Sequence, residues 1–216
     1  ECNLWSERII NEDELDNKAF PRLLAMSEVL WRNSEKKNYS SFQNRVQEQY
    51  PILDRMNVKY GIEAEPVVIE IKKVNNNYNA QISSKVKSLN FKYKLNNNEF
   101  IPLPKGNTIS VRKSGELTVQ AFKGNKTYGK EKKQKLSIHL SNYKETKYNI
   151  KYSDLYKASG DITLVDGLLG SLDFSDGKWQ GFWGEDLNYI VDMDTILEIK
   201  NIDVNFYQYI NSWILI

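Results

Sequence analysis

The sequence predicts three units, the first helical and the other two all-β, and three observations carry that reading. The hydrophobic period changes from three-to-four residues to two near Pro66. Charge is partitioned: residues 1–65 carry 9 basic and 12 acidic side chains, residues 66–150 carry 17 and 5, and residues 151–216 carry 4 and 11. All five tryptophans, Trp5, Trp31, Trp179, Trp183 and Trp213, fall in the outer two pieces. The 216 residues are 40% apolar and 12% aromatic with 11 Gly and 5 Pro, enough to fill cores and too little Gly and Pro for a collagenous or low-complexity chain.

In the first unit, Phe20, Leu23, Leu24, Leu30 and Trp31 recur at spacings that predict an amphipathic helix over residues 19–32, with Pro21 suited to its first turn. Ser40 followed three residues later by Gln43 reads as a capping box opening a second helix. That helix would place Phe42, Val46, Tyr50 and Leu53 on one face, and Pro51 is expected to kink or break it. Glu63-Ala64-Glu65-Pro66 reads as a linker.

The second unit alternates with period two at Val67, Ile69, Ile71, then Ala80, Ile82, Ser84, Val86, then Leu89, Phe91, Tyr93, Leu95, and again at Leu117, Val119, Ala121. Short strands at regular spacing predict a β-sandwich. Asn75-Asn76-Asn77, Asn96-Asn97-Asn98 and Gly124-Asn125 supply turns where positive φ is wanted. In the third unit, Asp166-Gly167, Ser175-Asp176-Gly177 and Gly181 to Gly184 punctuate strand-like Tyr189-Ile190-Val191 and Ile196-Leu197-Glu198-Ile199. About 65 residues is small for a sheet-rich domain without disulfides, so the chain is expected to stop mid-domain.

Several chemistries are excluded by residue count. Cys2 is the one cysteine, which removes an intrachain disulfide and a Cys-based zinc site; it reads as a small buried hydrophobe rather than a nucleophile. His139 is the one histidine, which removes His-based zinc sites and the Ser-His-Asp triad; its imidazole is expected to face solvent on a strand. The best candidate for a membrane span, Trp213 to Ile216, falls far short of the ~20 residues required. The opening Glu1-Cys2-Asn3-Leu4 is no signal peptide, so the chain is either cytosolic or without its start.

The lysines of residues 66–150, with Lys130, Lys132, Lys133 and Lys135 clustered, read as solvated outer positions of a sandwich and not as a nucleic-acid site, because arginine is nearly absent. Asp161, Asp166, Asp173, Asp176 and Asp186 offer oxygen ligands that suit a structural Ca²⁺, or serve as turn formers with no ion. No cofactor is otherwise expected. Trp5 and Glu7 pair an aromatic face, which stacks under a pyranose, with a carboxylate that accepts hydrogen bonds from hydroxyls. A packed Trp beside a solvated Glu is the alternative. In the third unit Trp183, interleaved with Gly181 and Gly184, is the surface candidate for sugar stacking, while Trp179 suits a core.

Asn3-Leu4-Trp5-Ser6-Glu7, then Ala19 to Trp31 (AFPRLLAMSEVLW), then Leu53-Asp54-Arg55-Met56-Asn57-Val58-Lys59-Tyr60 resemble the C-terminal end of a family 20 glycoside hydrolase catalytic domain. Residues 66–150 resemble the small immunoglobulin/fibronectin-like sandwich that follows the barrel in bacterial members. Gly167-Leu168-Leu169-Gly170-Ser171, Phe174 to Gly181 and Asp192-Met193-Asp194 resemble the opening strands of a discoidin-like, galactose-binding-type jelly roll over residues 151–216.

The resemblance implies a multi-domain piece of a β-N-acetylhexosaminidase: the last strand and helices of a (β/α)₈ barrel in residues 1–65, a sandwich, and part of a jelly roll. It implies that Trp5 lines the pocket for a terminal N-acetylhexosamine and that Glu7 binds its outer hydroxyls. Hydrolysis in the family is substrate-assisted, with the acetamide carbonyl as nucleophile. The family's Asp and Glu pair belongs to an earlier barrel strand, so no catalytic residue is assigned in this chain, and alone it is expected to be inactive. A glycan partner, no membrane span, and an extracytoplasmic location follow from the same resemblance. The competing reading is a non-catalytic carbohydrate-binding or spacer module.

Overall fold

The computed structural model describes residues 3–6, 9–31, 33, 38–62, 65–74 and 77–215. Cys2, Glu7, Glu63, Ala64, Asn75 and Asn76, singled out above, lie outside the described residues. The chain forms two compact units: Glu1–Pro66 with Ser84–Lys87, and Val67–Ser83 with Ser88–Ile216.

Three helices build the first unit: α1 (Glu12–Ala19), α2 (Arg22–Trp31) and α3 (Tyr39–Arg55). Helix α1 was not foreseen, and the single helix expected over residues 19–32 begins later. Asn11 caps α1 by accepting from the Glu14 amide at 2.9 Å, and Glu14 reaches back to the Ile10 amide at 3.1 Å. Pro21 stands one residue ahead of α2, its carbonyl accepting from the amides of Leu24 and Ala25. The cap of α3 is Asn38, which accepts from the Ser41 amide at 2.9 Å, in place of Ser40.

Pro51 lies inside α3 and does not break it. An interior proline costs ~3 kcal/mol or more. Val46, Tyr50 and Leu53, on both sides of it, are buried against Phe20, Leu24, Phe42, Val58 and Tyr60. At ~1.5–3 kcal/mol for each large buried side chain, that cluster outweighs the proline. The Tyr50 and Tyr60 rings stack at 4.3 Å with 4° between planes. The Arg45 guanidinium clasps both oxygens of Glu28, tying α3 to α2.

The second unit is mostly β, with open sheets. Strands β1 (Val68–Val74), β2 (Asn77–Ser83) and β5 (Thr108–Val111) form one antiparallel sheet in the order β1-β2-β5. Strands β3 (Asn90–Leu95), β4 (Ile101–Pro102), β6 (Gly115–Lys123), β7 (Lys126–Leu136) and β9 (Leu168–Leu169) form a second, ordered β4-β3-β6-β7-β9. Strands β8 (Glu145–Tyr148) and β10 (Tyr189–Asp192) form a third. Tyr78, Ala80, Ile82, Ile109, Val111, Leu117, Val119 and Ala121 are buried, the inward half of the alternation, and Val165, in the short helical turn ahead of β9, is buried as well.

Two of these ladders cross residue 150: Lys135 and Leu136 pair with Leu169 and Leu168, and β8 pairs with β10 along its length. Tyr78 Oη also donates to the Asp166 carbonyl at 2.9 Å. Val86, expected at the end of a strand, lies beyond β2 in the turn Ser84–Lys87, which groups with the helical unit. Residues 196–199, expected as a strand, have no ladder partner, and Ile196, Leu197 and Ile199 are exposed.

Candidate functional site

Trp5 lies ahead of α1 outside any helix or strand; after it the Ile9 amide donates to the Ser6 carbonyl at 3.0 Å, and Asn11 caps the helix. Its indole is 76% exposed, so a ring face stands open to solvent. Glu7 lies outside the described residues, so no distance joins the pair. Asp13-Glu14, the one Asp-Glu dipeptide in the sequence, lies in the first turn of α1, where Glu14 holds the helix entry.

In the second unit the loop at residues 180–184 is anchored by backbone and ring together. The Gly181 amide donates to the Tyr156 carbonyl at 2.9 Å, the Ser153 amide donates to the Gly181 carbonyl at 2.8 Å, and Phe182 stacks on Tyr148 at 5.9 Å. Between these anchors and Gly184 at φ +75°, Trp183 projects 91% exposed. Trp179 is half-buried instead. Its Nε1 donates to the Ser171 carbonyl at 2.9 Å, and its ring lies 5.0 Å from Tyr207. It covers Gly170 so closely that a Cβ there would meet the indole at 2.4 Å.

Trp179 also borders a shallow cleft of about 330 Å³ with Asp154, Tyr156, Lys157, Phe174 and Ser175. The cleft was not legible in the sequence because it draws on residues up to 25 apart with no motif of their own.

Four of the five aspartates considered for calcium have carboxylates engaged by nearby groups. Asp173 accepts from the Ser175 amide and hydroxyl, which hold its carboxyl below the usual range. Asp176 accepts from the amides of Ser171 and Lys178, and Asp161 from the Tyr152 hydroxyl at 2.9 Å. The Asp166 carboxylate is buried and accepts from the Leu168 amide at 2.7 Å; burial raises its pKa. Asp186 gives its main-chain carbonyl to Asn149 Nδ2. No three acidic, His or Cys side chains converge on a cation-sized space among the described residues.

His139 follows the end of β7 in a loop, not on a strand. The residue is exposed, yet both ring nitrogens are engaged: Nδ1 with Ser141 Oγ at 2.8 Å and Nε2 with Asn142 Nδ2 at 3.0 Å. Asn142 Oδ1 accepts from the His139 amide at 2.7 Å, which fixes the amide's orientation and makes Nε2 the acceptor. The ring is therefore the neutral Nδ1–H tautomer, and its partial desolvation lowers the pKa. No described helix is long and apolar enough to cross a membrane.

Comparison with a family model places similarity at the N-terminal end of the chain. Residues 1–34 match the family model of the glycosyl hydrolase family 20 catalytic domain. A Beta-hexosaminidase of Porphyromonas gingivalis is 34% identical over 62 residues, which is 29% of this chain and 8% of that protein. The matched stretch of 34 residues contains both Trp5 and Glu7.

Proposed function

We propose that this chain is part of a glycoside hydrolase, a β-N-acetylhexosaminidase that removes non-reducing terminal N-acetylhexosamine from glycans. The observation that carries the reading is the exposed indole of Trp5 inside the stretch matched by the family 20 catalytic-domain model. On this reading residues 1–65 are the end of a (β/α)₈ catalytic barrel, followed by a sandwich at 66–150 and part of a discoidin-like jelly roll at 151–216. Trp5 offers its face to the CH-rich side of the sugar, and Glu7 accepts hydrogen bonds from outer hydroxyls. The reaction is substrate-assisted and retaining: the acetamide carbonyl oxygen attacks the anomeric carbon while a carboxylic acid protonates the departing oxygen. That acid is not assigned in this chain, because on the resemblance the Asp and Glu pair belongs to an earlier barrel strand. By itself the chain turns over no hexosaminide, and the enzyme acts outside the cytoplasm.

In the complete enzyme, Trp5→Ala should lower kcat/KM about 10- to 100-fold with little change in melting temperature, since an exposed ring positions substrate and fills no core. Glu7→Gln should raise KM or lower kcat by removing charge-assisted bonds. Unchanged kinetics on a chromogenic N-acetylglucosaminide in both variants would remove Trp5 and Glu7 from the site. A second reading, a non-catalytic sugar-binding module, is favoured by the exposure of Trp183. Calorimetric titration with galactose and N-acetylhexosamines, wild type against Trp183→Ala, decides it.

A further inference from the structure

Paired residues and residues two apart on a strand share a face, so register assigns every side chain of the five-stranded sheet to one side or the other. Leu117, Val119 and Ala121 of β6 share the buried face with Phe91, Tyr93 and Leu95 of β3. The opposite face carries Lys92 and Lys94 on β3, Glu116, Thr118 and Gln120 on β6, and Lys133 and Lys135 on β7. Lys92 and Lys94 therefore form one row and Lys133 and Lys135 another, about 10 Å apart across the central strand at ~4.8 Å per strand.

Between the rows β6 contributes Thr118 and Gln120, uncharged and buried, and Glu116 toward one end. Glu116, 3.2 Å from Lys133, is the one acid on the paired positions of this face. The β3 ammonium groups are held over rings, Lys92 Nζ at 5.2 Å from the Phe122 centroid and Lys94 Nζ at 4.7 Å from Phe100.

This concentration of cations is not general to the protein's outer strand positions. The corresponding face of the three-stranded sheet carries Glu70, Lys72, Asn79, Gln81, Ser83, Thr108 and Ser110, one acid, one base and neutral polar groups. Solvated faces ordinarily intersperse the two signs, and like charges on neighbouring positions destabilise a sheet. A face that gathers one sign on two parallel rows, with a single acid between them, is complementary to an extended polyanion.

We propose that this face docks an anionic glycan chain, a polysaccharide bearing sulfate or carboxylate groups. Lysine presents a point charge that meets such groups without bidentate geometry, whereas readers of nucleic acid favour arginine; Arg112 is the one arginine between residues 66 and 150, and it lies off these strands. The choice of a glycan over other polyanions rests on the hydrolase reading above.

The test is binding of the full chain to heparin, measured by affinity chromatography and titration as a function of salt. Four contacts predict a slope of log K against log salt of about −3. The variant Lys92→Gln/Lys94→Gln/Lys133→Gln/Lys135→Gln should lose affinity about tenfold or more. A control of equal net charge, Lys85→Gln/Lys105→Gln/Lys113→Gln/Lys157→Gln, at exposed positions elsewhere, should keep it. The double variant Lys92→Gln/Lys133→Gln serves if the quadruple variant does not fold, with an intermediate loss expected. The proposal is overturned if heparin does not bind at about 50 mM salt, or if the control loses as much as the face variant. It is equally overturned if a DNA duplex binds as tightly as heparin. Failure here leaves the hydrolase reading standing, because that is scored by turnover of a neutral chromogenic substrate in the complete enzyme.

Discussion

Gly167 occupies a position with no room for a side chain: at φ +75° its added Cβ would meet the Ser137 carbonyl oxygen at 2.5 Å, Tyr78 Oη at 2.7 Å and Asn142 Nδ2 at 2.8 Å. Those atoms belong to the contacts that close the second unit, since the Ser137 amide donates to the Gly167 carbonyl at 2.8 Å. Gly167→Ala should therefore destabilise by clearly more than ~1 kcal/mol, read from denaturant unfolding. Asp166 next to it is 2% exposed, and burial favours its neutral form. At neutral pH its charge opposes folding, and stability gains as pH falls toward the raised pKa. Asp166→Asn, which keeps an acceptor for the Leu168 amide, should hold or raise the melting temperature at pH 7, whereas Asp166→Ala should lower it. His139 has the opposite sign. Above its ordinary value of 6.5 neither state holds the proton, and below it the unfolded chain binds the proton first, so stability falls as pH drops. Replacement by Gln should flatten the fall between about pH 7 and 5 in melting temperature, and an unaltered slope would dismiss the tautomer argument. The lone histidine was visible in the sequence, but its engaged ring was not, because Asn142 is set by a loop with no periodic signal.

At the scale of elements, α3 was legible because its apolar residues Phe42, Val46, Tyr50 and Leu53 obey one period over the whole helix. Leu53→Ala should cost ~2–5 kcal/mol, and a loss below 1 would mean that Pro51 and not the cluster sets the helix's stability. Strands β1, β2, β3 and β6 were legible for the matching reason, their period-two alternation. Strand β7, the longest at 11 residues, was not. Its sequence KTYGKEKKQKL holds five lysines, and an irregularity shifts its register by two residues midway: Val119 faces Lys132, but Ala121 faces Tyr128. Gln120 plugs the irregularity, its Nε2 donating to the carbonyls of Ala121 at 2.9 Å and Gly129 at 3.2 Å, which explains a buried amide that alternation would have placed outside. Helix α1 carried a readable signal in Asn11 and Glu14, masked by the lack of an apolar stripe in EDELDNKA. Among the candidate site residues, the sequence located Trp5 and Trp183 as aromatics near acids or glycines, and their exposure came only with the fold.

At the scale of the whole molecule, the change from helical to strand period near Pro66 coincides with a change between compact units, whereas the change in charge near Lys151 does not. Composition follows surface needs, but strand partners are chosen by hydrogen bonding, and β9 and β10 find theirs in β7 and β8. The segment that joins them, residues 149–158, runs with Asp154, Leu155 and Tyr156 exposed. A protease site inserted there should be cut readily, yet the two pieces should elute together in gel filtration and part only in denaturant, because ladders and the bond from Tyr78 to Asp166 span the cut. The two halves are then a complementing pair: expressed apart, each is a sensor for the other, and their reassembly reports folding of the second unit without any substrate at all.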